Sequence, residues 1–68
     1  MRSFQEFLSA LEEFRRESKD LRHGQALMNV LYEFWPEKYR EITAGEHDCF
    51  YDDSKVGATL ERLEREWP

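Results

Sequence analysis

Apolar residues recur along this chain at intervals of three and four in three separate runs, a period that places them on one side of a helix. Phe4, Phe7, Leu8, Leu11 and Phe14 form the first stripe. Leu27, Leu31 and Phe34, widened by Ala26, Met28 and Val30, form the second, and Val56, Leu60, Leu63 and Trp67 the last. Nothing alternates with period two over a useful length, so no sheet is expected. The expected fold is all-α: a compact small bundle of three longer helices and one short helix, with residues 1–68 as a single helical domain.

Local signals set the expected boundaries. Ser3 and Glu6 have the capping-box spacing, so the first helix runs from about Phe4 to about Ser18. Asp20 is the expected N-cap of the second helix. Gly24 costs that helix about 1 kcal/mol but permits a close neighbour. The helix ends at Phe34, because Trp35 precedes a proline and is pushed out of the helical region. Pro36 suits the first position of a short third helix, with Glu37 at the positive end of its dipole and Gly45 as its stop. Asp52, Asp53 or Ser54 caps the last helix, supported outside by the pairs Glu61 with Arg65 and Arg62 with Glu66.

Composition narrows the classes. At 68 residues the core is small, and a pocket that encloses a substrate is not expected. Five Phe, three Tyr and two Trp compensate with large buried areas. They also leave a homodimer open, if one core cannot hide them all. A single cysteine forms no internal bridge, which points to a reducing, cytoplasmic setting. No signal-like or membrane-length apolar run is present, so no membrane association is expected.

The net charge of −5 sits mostly in the second half, where nine acids face five bases, against six and five from Met1 to Phe34. An acidic surface repels phosphate backbones, which argues against direct nucleic-acid binding. Arg15, Arg16, Lys19 and Arg22 are interrupted by Glu17 and Asp20 and read as a solvated helix face.

The run GEHDCFYDDS, Gly45 to Ser54, concentrates unusual chemistry between two helices. Its acids lack the alternation, central glycine and closing glutamate of a calcium loop, and one Cys with two His is too few for zinc. No metal or cofactor is therefore expected. Cys49 reads as a small buried hydrophobe, and Phe50 with Tyr51 as an apolar pair that tucks the loop onto the core, with an exposed recognition site as the alternative. No phosphate cradle, nucleophile elbow or zinc-protease motif occurs, so no catalytic residues and no enzymatic activity are expected.

A second surface lies on the second helix, where Arg22, Gln25, Asn29 and Tyr32 share a polar, mostly uncharged face. Gln25 and Asn29 suit either a partner or the backbone of the neighbouring loop, and the loop is the favoured reading. The expected partner-binding set is Arg22, Gln25, Asn29, Glu46, Asp48, Tyr51 and Asp52, directed at another protein.

HGQALMN at His23 to Asn29, paired with FYDDS at Phe50 to Ser54, resembles a group of small uncharacterised bacterial and phage-encoded helical proteins. The resemblance spans about Leu21 to about Leu63 and implies a bacterial or viral cytoplasmic setting, with no activity to transfer. In that group a proline often stands where this chain has Cys49, which weakens a metal or redox role for the thiol. The functional expectation is a small intracellular helical protein–protein interaction module, such as a phage or prophage accessory protein. Its alternative is an acidic DNA-mimic inhibitor of a nucleic-acid-binding protein.

Overall fold

A computed structural model describes every residue from Met1 to Pro68. The fold is all-α: α1 spans Phe4–Glu17, α2 His23–Phe34, α3 Pro36–Ile42 and α4 Val56–Glu66, with a single 3-10 turn, Asp53–Lys55, leading into α4. No strand is present. Every other element packs against α2, whose Leu27 and Leu31 are fully buried with Phe7 of α1 and Leu63 of α4. These side chains, with Met28 and Ile42, make one contiguous core.

The start of α1 follows its local signal. Ser3 Oγ accepts from the Glu6 amide and Glu6 Oε1 from the Ser3 amide, each at 3.1 Å. This reciprocal cap satisfies two amides that a helix start otherwise leaves open. Trp35 is non-helical at φ −150°, ending α2 ahead of Pro36, which opens α3.

Two expected boundaries are corrected. Asp20 does not cap α2: it lies in the turn closed by the Leu21 amide on the Ser18 carbonyl, and the N-cap position falls to Arg22. Gly45 is not the left-handed residue after α3. The helix ends at Ile42, and Ala44 takes the left-handed conformation at φ 68°. A side chain disfavours that region. It is held there because Asp48 Oδ2 accepts from the Ala44 amide at 2.7 Å while the Gly45 amide donates to the Ile42 carbonyl.

Trp67 joins the two ends of the chain. Its ring meets Phe4, Phe7 and Trp35 at centroid distances of 5.5, 5.1 and 5.2 Å, and its Nε1 donates to the Arg2 carbonyl at 2.9 Å. A large ring is thus half-buried while its one donor is satisfied at the rim. The Arg2 guanidinium covers the Phe34 ring at 3.6 Å.

Candidate functional site

The loop from Gly45 to Ser54 is docked on the first turn of α2. That turn contains no acidic residue of its own, so its free amides and positive dipole end need an external acceptor. Asp53 supplies it: its Oδ1 accepts from the Gly24 amide at 2.9 Å. Arg22 returns the contact by donating through Nη2 to the Tyr51 carbonyl at 3.1 Å.

Gly24 makes the docking sterically feasible. A Cβ at this position would lie 1.8 Å from the Cys49 carbonyl oxygen, so only glycine lets the loop backbone come this close. Cys49 itself is fully buried, its S–H aimed at the Gly24 carbonyl at 3.8 Å. Burial pushes its thiol above the ordinary value, which keeps it protonated and a poor nucleophile.

Two carboxylates of the loop, those of Asp48 and Asp52, are committed to its own backbone. Asp48 accepts from the Ala44 and Phe50 amides with its two oxygens, the latter at 3.0 Å. Asp52 Oδ1 accepts from the Ser54 hydroxyl at 2.6 Å and the Ser54 amide at 3.0 Å, capping the 3-10 turn before α4. The Ser54 hydroxyl and then its amide hold the Asp52 carboxyl below its usual range. On the far side, Thr59 is fully buried and donates to the His47 carbonyl at 2.7 Å.

The seven residues expected at a partner surface are only partly brought together. Arg22, Tyr51 and Asp52 lie beside the start of α2. Gln25 is one turn along, with its Oε1 occupied by the Arg22 amide at 3.1 Å. Asn29 is exposed a turn further on, and neither it nor Gln25 satisfies the loop backbone as expected. Asp48 and Glu46 belong to the other end of the loop, Asp48 half-buried and Glu46 exposed. The aromatic pair splits: Phe50 packs on the core, while Tyr51 is 83% exposed and touches Phe50 edge-on at 4.8 Å. Tyr51 therefore does not tuck the loop down.

A charged cluster went unanticipated. Lys38 is buried, and its Nζ donates to Glu66 at 2.7 Å and Glu41 at 3.1 Å over the Trp35 ring. Arg62 binds Glu41 and Glu66 and donates to His47 Nδ1 at 3.2 Å, so that nitrogen is the acceptor. The Glu66 carboxylate raises the Lys38 ammonium above its ordinary value, and Lys38 lowers Glu66 in turn. Of all these contacts, only the Arg62 to Glu66 pair was readable as an i, i+4 spacing. The expected partner to it, Glu61 with Arg65, does not form.

No group of three or more His, Cys, Asp or Glu side chains converges in a way that could hold a metal ion. No helix is long and apolar enough to cross a membrane. Set against protein-family models, curated proteins and solved structures, the chain matches none.

Proposed function

We propose that this chain is a small protein–protein interaction module whose contact surface centres on Tyr51. The observation that carries the reading is the pairing of an 83% exposed tyrosine with a carbonyl anchored by Arg22, on a loop that Asp48 and Asp53 brace through backbone amides. A large aromatic held outward by a braced loop loses little conformational freedom on binding and offers the kind of anchor that dominates interfaces. Arg22, Gln25 and Asp52 border it as the polar rim.

The resemblance of HGQALMN and FYDDS to bacterial and phage-encoded proteins supports an accessory role in a bacterial or viral cytoplasm. HGQALMN and FYDDS touch here through the Gly24 amide and the Asp53 carboxylate. DNA mimicry would require outward carboxylates at regular separations. Asp48 and Asp53 are spent on amides, and no observation favours that alternative.

Immobilised protein exposed to lysate of its host, with retained proteins identified by mass spectrometry, tests the reading. Tyr51→Ala should weaken capture by about 2 kcal/mol, roughly thirtyfold, with the far-ultraviolet dichroism unchanged. Equal capture by the variant would remove Tyr51 from the interface.

A further inference from the structure

α1 and α4 run antiparallel: Phe4 and Phe7 at the start of α1 meet Trp67 just beyond the end of α4. Trp67 closes the groove between them at that end. Toward the start of α2 the walls part, leaving a cleft of about 510 Å³ lined by Leu8, Leu11, Glu12, Arg15, His23 and Leu60. Leu8 and Leu60 are only half-buried, so each wall keeps apolar surface facing the gap.

The cleft continues into a second of about 360 Å³ that shares Glu12 and Arg15 and adds Arg16, Lys19 and Leu21. Helical geometry sorts the charges here. Arg15 lies four residues beyond Leu11 and seven beyond Leu8, on the same face, whereas Glu17 is about 200° around from Arg15 and neither it nor Asp20 lines the cleft. Arg16 is neutralised by Glu12 at 3.2 Å. Arg15 and Lys19 make no ion pair within the chain. On a protein of net charge −5, the mouth of its leucine-lined groove is thus locally cationic.

We propose that this groove seats an acidic amphipathic helix supplied by a partner protein. Leu8 to Arg15 covers about 10 Å along α1, close to two turns of an opposing helix. Apolar side chains at spacings of three and four on that helix would fill the space over Leu8, Leu11 and Leu60, and its flanking carboxylates would face Arg15 and Lys19. A second copy of this chain is the competing occupant, and the oligomeric state separates the two. The groove shares no residue with the Tyr51 surface, so failure at either leaves the other standing.

The test is a titration of the full isotope-labelled chain, followed by amide and methyl chemical shifts. The probe is a synthetic peptide with leucines spaced alternately by four and three and glutamates flanking them. Saturable shifts confined to Leu8, Leu11, Arg15, His23 and Leu60 are expected. Replacing the peptide's glutamates with lysines should weaken binding by at least about tenfold, and so should Arg15→Glu in the protein. Arg15 is exposed and unpaired, so helicity of that variant serves as the control for folding. Absence of saturable shifts, shifts centred elsewhere, or an unchanged affinity for Arg15→Glu would overturn the proposal. Sedimentation showing a concentration-dependent dimer that Arg15→Glu dissociates would overturn it in favour of self-association.

Discussion

Gly24 and Asp53 show how much one residue controls. The glycine is poor helix material, yet its missing Cβ lets the Cys49 carbonyl sit against α2 and lets Asp53 reach the Gly24 amide. Gly24→Ala gains about 1 kcal/mol in helix propensity. Because the new carbon would lie 1.8 Å from a backbone oxygen, the loop must move, and overpacking of that kind costs about 2 kcal/mol net. The variant should unfold at lower urea, and Cys49 should become reactive toward a thiol reagent that the wild-type chain resists. An unchanged reaction rate would mean the loop is not seated on Gly24. The glycine's permissiveness was legible in the sequence; its neighbour, 25 residues away, was not.

Among the elements, α3 is the short one, and the charged cluster couples it to α4. Lys38 and Glu41 on α3 grip Glu66 and Arg62 on α4, and His47 joins from the loop. The Lys38 ammonium is favoured in the folded state and its pKa lies above 10.5. The sign follows: its contribution to stability is fully present below pH 10.5 and is lost as pH rises through the folded value. Glu66 works oppositely, its pKa being lowered below 4.5, so its contribution holds above that pH and fades as pH falls through the folded value. Lys38→Met keeps most of the packing stem over Trp35 and removes the charge. Urea unfolding of both proteins from neutral to strongly alkaline pH should show a stability difference that is constant below 10.5 and shrinks above it. A difference that stays constant throughout would show that the ion pairs contribute nothing.

For the whole molecule, closure depends on Trp67, the extended residue just beyond α4. Trp67 touches Phe4, Phe7 and Trp35 and holds the Arg2 carbonyl, so three otherwise distant segments meet on one ring. A chain of this length has a total stability of about 3–10 kcal/mol. Trp67→Ala removes about 3 kcal/mol by leaving a cavity at the aromatic junction. The urea midpoint should fall sharply and the near-ultraviolet dichroism should collapse before the helical signal does. A midpoint close to wild type would show that the N-terminal segment is held by other contacts.

What the sequence determined alone was local and periodic. Ser3 and Glu6 cap α1 within one turn, Pro36 divides α2 from α3, and the stripes through Phe7, Leu31 and Leu63 select the buried faces, because each depends on neighbours three or four residues apart. Tertiary structure decided whatever required a partner from elsewhere in the chain. Asp20 was the nearest acceptor in sequence, but Asp53, 29 residues beyond Gly24, reaches the start of α2. Tyr51 faces outward rather than inward because Phe50 already occupies the core-facing place and Arg22 fixes the Tyr51 carbonyl. Capping and amphipathicity are set by short-range geometry, whereas the acceptor for a free amide and the exposure of a loop ring depend on which segments the core brings together.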